Sequence, residues 1–240
     1  MMIEVCANSV ASALNAEAGG AHRIEFCGEL SVGGITPSYG MLTRVMQQVS
    51  IPVFVLIRPR SGNFTYSDEE FEVMKQDILF CKQIGCAGVV SGVLKKDNTL
   101  DVERTKQLIA LAKPMDFTFH RAFDWVPNPE ETLQQLLKIG CKRILSSGQQ
   151  PKAIDGLSLL ENLQKTYGDK MCIMPGSGVN INNIETFKKA GFSEIHFSGS
   201  TEVKTITETP KISFNNNVSD ESFVTVSDKI TIQKMVDKVK

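Results

Sequence analysis

Cys6 and Cys27 stand out because each closes the same short pattern, Glu4-Val5-Cys6 and Glu25-Phe26-Cys27. A helical stretch, Ser9 to Ala18, lies between them, so the segment reads as a βαβ unit with parallel strands. Neighbouring strands lie about 4.8 Å apart. Paired in register, the two cysteines stand side by side, each with a carboxylate two residues back on the same strand face. Two thiolates form a soft ligand pair suited to Cu(I) or Zn(II). The plainer reading is two small core residues, because free cysteine is among the most buried side chains.

Other side chains with chemical capacity fall where strands are expected to end. Arg58 and Arg60 follow a third strand, and His120, Arg121 and Asp124 a fifth. Ser146 and Ser147 end a sixth, Pro175-Gly-Ser-Gly178 follows a seventh, and His196 and Ser198 end an eighth. Buried charges need partners, so these residues imply a paired network, with Arg58 and Glu25 as an expected ion pair. Glu25 and His120 are candidate proton carriers and Arg58 a candidate anion clamp. Gly176, Ser177 and Gly178 are candidates for binding an anion, since loops after the last two strands of a barrel often hold phosphate. Against these stand structural readings: an ion pair, a hydrogen-bonded strand-end histidine, a tight turn. His196 reads as structural and His22 as a surface residue.

The remaining cysteines read as packing. Cys86 and Cys141 each follow a glycine at a helix exit, and Cys81 and Cys172 read as helix-face and strand residues. The Cys81/Cys86 spacing matches no strong metal signature. No lysine lies in or at the end of a strand core, which argues against a Schiff-base aldolase. A His-x-His pair and a Gly-x-Ser-x-Gly elbow are also missing.

The elements that must position these groups show an internal repeat. Gly20-to-Gly28, Gly85-to-Gly92, Gly140-to-Gly148 and Gly191-to-Gly199 each run from a helix-capping glycine through a short strand to a small residue and another glycine. Strands of a second kind alternate with them: Ile3 to Cys6, Val53 to Arg58, Phe117 to His120 and Met171 to Met174. Ser67-Asp-Glu-Glu70 is a capping box, and Asn128-Pro-Glu-Glu131 an N-cap followed by a first-turn proline. Eight strands alternating with helices predict an α/β fold, a single (β/α)8 TIM barrel over residues 1–200. Residues 201–240 read as a short C-terminal appendix packed on it. Lys211 to Phe214 is expected to pair with Phe223 to Val226 as a hairpin, and Ile230 to Val239 to form a closing helix.

Composition bounds the function. The 240 residues are 42% apolar with a formal net charge of −1. No basic run is present to collect phosphates, so no nucleic-acid partner is expected. No apolar stretch is long enough to span a membrane, and Glu4 interrupts any signal peptide at the N-terminus. A cytoplasmic protein with six reduced cysteines is expected.

Linked motifs carry a family resemblance. Glu4-Val-Cys6, Gly20-Ala-His-Arg-Ile-Glu-Phe-Cys27, Gly33-Gly-Ile-Thr-Pro-Ser38, Ile57-Arg-Pro-Arg60, Thr118-Phe-His-Arg-Ala-Phe-Asp124 and Arg143-Ile-Leu-Ser-Ser-Gly148 together resemble the CutC copper homeostasis family, over about residues 2 to 198. The resemblance implies a TIM barrel, a cytosolic protein and Cu(I) binding, carried onto Cys6 and Cys27. The chain departs from the family pattern at Asn63, where a carboxylate is usual. It departs again at Gly85-Cys-Ala-Gly88 in place of Gly-Ala-Asp-Gly, and at Ser146 in place of threonine. Two functions follow as expectations: a copper homeostasis protein, or a barrel enzyme using acid–base chemistry on a small anionic substrate. A third reading is an assembly-dependent scaffold using the appendix. A homo-oligomer is expected.

Overall fold

The computed structural model describes residues 1–208, 211–212 and 220–240. Eight parallel strands form the centre: β1 (Met2–Ala7), β2 (Arg23–Phe26), β3 (Val53–Leu56), β4 (Gly88–Ser91), β5 (Asp116–Phe119), β6 (Arg143–Ser146), β7 (Cys172–Pro175) and β8 (Glu194–Phe197). Each overlaps its expected strand. They pair in the order β7-β6-β5-β4-β3-β2-β1-β8, so the first strand is hydrogen-bonded to the eighth and the sheet curls into a nearly closed barrel. Seven helices follow the strands: α1 (Val10–Ala18), α2 (Tyr39–Met46), α3 (Asp68–Gln83), α4 (Val102–Ala112), α5 (Pro129–Lys138), α6 (Leu157–Tyr167) and α7 (Ile184–Lys189).

Local sequence explains the boundaries. The Ser67 hydroxyl accepts from the Glu70 backbone N–H while the Glu70 carboxylate accepts from that of Ser67, a complete capping box at the start of α3. Asn128 caps α5 with Pro129 in the first turn. The four repeat glycines, Gly20, Gly85, Gly140 and Gly191, have φ of +86°, +82°, +88° and +84°. They reverse the chain after a helix in a conformation that L side chains rarely adopt.

Two cores result. Ile3, Val5, Ile24, Phe26, Val53 and Val55 are buried against the helices, each contributing about 1.5–3 kcal/mol. The strand residues that alternate with them fill the barrel, and these are unusually polar.

The C-terminal segment departs from expectation. β9 (Ser200–Lys204) pairs antiparallel with β10 (Phe223–Ser227), with Ser200 opposite Ser227. Among the described residues the partner of Phe223 to Val226 is therefore the stretch leaving β8, and the expected pairing with Lys211 to Phe214 falls partly outside them. Lys211 and Ile212 lie in a bend, and Ser213 to Ser219, including Phe214 and Asn215 to Asn217, fall outside the described residues. Ser200 to Lys204 is already extended as it leaves the barrel, so it offers β10 a ladder. Ser227 fixes the hairpin to the barrel: its N–H donates to Ser12 Oγ at 3.0 Å and its hydroxyl to the Cys6 carbonyl at 3.3 Å. α8 (Lys229–Val239) buries Ile232, Met235, Val236 and Val239. Among the described residues no helix is long and apolar enough to cross a membrane.

Candidate functional site

Strand alternation turns Glu4 and Cys6, Arg23 and Glu25, Arg143, and Glu194 and His196 into the barrel. At its lower end Arg23 bonds Glu4 and Glu194, each at 2.5 Å, and Arg143 holds the same Glu194 through two contacts of 2.9 and 3.1 Å. Both guanidinium groups lie over the Phe54 ring, Arg23 at 4.6 Å and Arg143 at 5.4 Å from its centroid. Desolvating these charges is costly unless every one is paired, and here acids and arginines alternate. Sequence reading missed this layer. Its signal was the period of two, which sets Arg23 beneath Glu25 and Glu194 beneath His196.

Above it, His196 Nδ1 lies 2.8 Å from Glu4 Oε1 and 3.8 Å from Glu25 Oε2. Burial pushes the Glu4 acid up, but the His196 hydrogen bond and the Arg23 charge outweigh it and hold its pKa down to about 2. Burial opposes ionisation of His196, yet the bond to Glu4 and the nearby carboxylates raise its pKa above the ordinary value. Glu25 is different. Burial dominates, with too little compensation from His196, and its pKa rises to about 7. Its Oε2 is buried with no hydrogen-bond partner.

The expected Arg58–Glu25 ion pair does not form. The Arg58 guanidinium donates instead to the carbonyls of Val32, Gly34 and Gly62 at 2.9, 2.8 and 2.7 Å. It lies over the Phe64 ring at 5.2 Å. Three carbonyls from two loops outcompete one carboxylate that already has His196 nearby.

Cys6 and Cys27 do meet, but not in register. The partner of Cys6 across the ladder is Glu25, and Cys27 lies beyond the end of β2. The thiols approach diagonally, with Sγ atoms 3.8 Å apart, because the strands of a barrel are tilted and staggered. Phe54, Leu56 and Val90 enclose the pair. Gly34, at φ +84°, closes it from the loop side: a Cβ there would lie 3.3 Å from the Cys27 sulfur and 2.7 Å from Leu56. The hydrogen bond with Cys27, then burial, then Glu25 and Glu4 push the Cys6 thiol well above its ordinary pKa.

His120 caps a short 3-10 turn, Arg121–Trp125. The backbone N–H of Ala122 donates to its Nδ1 at 3.2 Å, which assigns the proton to Nε2. That Nε2 is buried without a partner. Burial and the Arg58 charge lower its pKa to about 3. The ring is neutral at physiological pH and offers an N–H, which suits it to polarising a bound group more than to taking a proton. Asp124 accepts from Arg121, Ser146, Ser147 and the Gln149 N–H. It braces the loops after β5 and β6.

Cys6, Glu25, Arg58, His120, His196, Ser177 and Gly178 line one cavity of ≈ 1150 Å³ at the C-terminal ends of the strands. Cys27 lies fully buried behind Cys6. Gly176 backs His196, where a Cβ would come within 3.3 Å of the ring. Ser177 donates its hydroxyl to the Pro151 carbonyl at 2.8 Å. The hairpin supplies the outer wall with Ser200, Glu202, Val224 and Thr225. Donor atoms of Glu4, Glu25 and His196 also lie within 4.8 Å of one another, although Glu4 and His196 are committed to each other.

Comparison with known proteins places this geometry in a wider set. A model of the CutC family matches residues 1–201. A human protein named copper homeostasis protein cutC homolog is 47% identical over 198 residues, covering 82% of this chain and 72% of its own. A CutC family protein of Parabacteroides distasonis is 42% identical over 241 residues, covering 100% of this chain and 98% of its own. The crystal structure of a CutC protein from Streptococcus agalactiae superposes with a TM-score of 0.78 at 31% identity, covering 82% of this chain and 98% of that one. Phosphoribosyl anthranilate isomerase from Thermotoga maritima, at 12% identity and TM-score 0.61, shares the fold alone.

Proposed function

The chain belongs to the CutC family, whose curated members include named copper homeostasis proteins, and from that premise we propose that it binds one Cu(I) through Cys6 and Cys27 at the barrel mouth. The 3.8 Å separation of two buried sulfurs carries this reading. Two metal–sulfur bonds of about 2.3 Å in a near-linear arrangement span at most about 4.6 Å, so the thiols need only a small outward movement to share an ion. Soft sulfur ligands in an apolar enclosure favour Cu(I) over harder ions. The setting we infer is the cytoplasm, where all six cysteines, free in this structure, stay reduced. We also infer a homo-oligomer, which light scattering tests directly.

The deciding experiment is competition for Cu(I) against a chromophoric chelator under anaerobic, reducing conditions. Wild type is compared with Cys6→Ser, Cys27→Ser and the double variant, each checked for folding. Joint ligation predicts that each single change removes most of the affinity lost in the double. Cu(I) binding that is unchanged from wild type in the double variant removes the proposal.

A second reading has its own observation. Glu25 Oε2 and His120 Nε2 are both buried and unpartnered at one cavity. In an enzyme acting on a small anionic substrate, Glu25, poised near 7, serves as the base and the His120 N–H as the polarising donor. Arg58, whose Nε is unpartnered, and the Gly176-Ser177-Gly178 turn serve as the anion site. Phosphate or sulfate titrated against thermal stability tests it: the reading expects stabilisation of wild type and a loss of that response in Arg58→Ala.

A further inference from the structure

The geometry points to a second Cu(I) site, formed by Cys81, Cys86 and Met46 at the opposite end of the barrel from the mouth. Cys81 lies in the last turn of α3, Cys86 in the turn leading into β4, and Met46 is the final residue of α2. The exit of α3 brings two cysteines five residues apart to the end of α2. Cys86 Sγ is 3.9 Å from Met46 Sδ. The Cys86 backbone N–H donates to the Cys81 carbonyl at 3.0 Å, so the turn joining the cysteines is already fixed.

The Cys86–Met46 separation suits a three-coordinate ion. Three metal–sulfur bonds of about 2.3 Å in a plane set the sulfurs about 4.0 Å apart. Thiolate and thioether together select Cu(I), whereas zinc sites draw on thiolate, imidazole and carboxylate. Electrostatics agree. The Cys81 thiol interacts with that of Cys86. The C-terminal ends of α2 and α3, where unpaired carbonyls favour cations, both face the cluster. Cys81 and Cys86 are 1% and 5% exposed, and Met46 is half-buried. The cluster is therefore shielded but reachable past the methionine. Spacing in sequence did not reveal it, because the third sulfur comes from α2.

The site does not depend on the mouth cysteines, and the test separates the two. Cu(I) is titrated anaerobically into the full chain carrying Cys6→Ser and Cys27→Ser, with native mass spectrometry for stoichiometry and chelator competition for affinity. The expected result is one Cu(I) per chain, with an all-sulfur shell of three atoms at about 2.3 Å in X-ray absorption. Adding Cys86→Ala abolishes it. Adding Met46→Leu, a conservative change at a half-buried position, lowers affinity about tenfold and leaves two sulfurs in the shell. The inference is overturned if the mouth variant binds no Cu(I), if binding persists with Cys86→Ala, or if Met46→Leu alters neither shell nor affinity. In wild type, a single equivalent lost only through Cys86→Ala would overturn the mouth reading and leave this one standing.

Discussion

His196 Nδ1 and Glu4 Oε1 stand 2.8 Å apart inside the barrel, a contact that raises the histidine pKa and lowers that of the acid. The same carboxylate also faces Arg23, so one acid holds two basic groups. Glu4→Gln leaves both without that charge. The expected cost is about 3–5 kcal/mol in urea unfolding, with the His196 pKa falling below its wild-type value in an NMR titration. A variant as stable as wild type, with His196 unchanged, would show that Glu194 alone suffices.

Glu25 titrates at about 7 in the fold against an ordinary 4.5. The folded chain therefore binds the extra proton between those values, and this group's contribution to stability falls as pH rises through that window. Glu25→Gln keeps the neutral shape and escapes the penalty. Relative to wild type, the variant should gain about 3 kcal/mol between about pH 4.5 and pH 7.5. A constant difference across that range would contradict the raised acid.

Under the proposed ligation, Cu(I) must expel the Cys6 proton, because the bond with Cys27 and burial push that thiol well above its ordinary pKa. Apparent Cu(I) affinity should then rise with pH by about tenfold per unit for each proton released. Chelator competition at several pH values, corrected for the chelator's own protonation, reads the slope. A flat profile would mean that the ion does not displace the thiol proton.

Gly34 has φ +84° and no space for a side chain beside Leu56 and Cys27. Gly34→Ala should cost about 1–2 kcal/mol for the backbone alone and push the Cys27 sulfur away from Cys6. The expected signature is weaker Cu(I) binding at the mouth, with both cysteines still present. Unchanged affinity would separate the loop from the thiol pair.

The strands and helix caps were legible because their signals are local. Ser67 and Glu70 satisfy each other within one turn, and Gly20, Gly85, Gly140 and Gly191 each need only their own φ. The meeting of Cys6 with Cys27 was legible as a pair but not as a register, since stagger belongs to the whole closed sheet. Arg58 illustrates the limit for charges. Its type and position announced a partner, yet that partner is three carbonyls from loops whose path no spacing describes. The partner of Phe223 to Ser227 was not legible either: among the described residues it is the stretch leaving β8, already extended where it leaves the barrel.

The ionic layer of Arg23, Glu4, Glu194 and Arg143, packed around Phe54, gives the barrel a floor. The chamber above it is a cul-de-sac. A ligand that enters at the C-terminal rim must leave by the same door, so arrival and departure compete for one opening beside the hairpin. Any protein that exchanges an ion with Cys6 and Cys27 has to present its own donor groups at that rim. Traffic at Cys81, Cys86 and Met46 would use the other end, and the floor keeps the two routes separate.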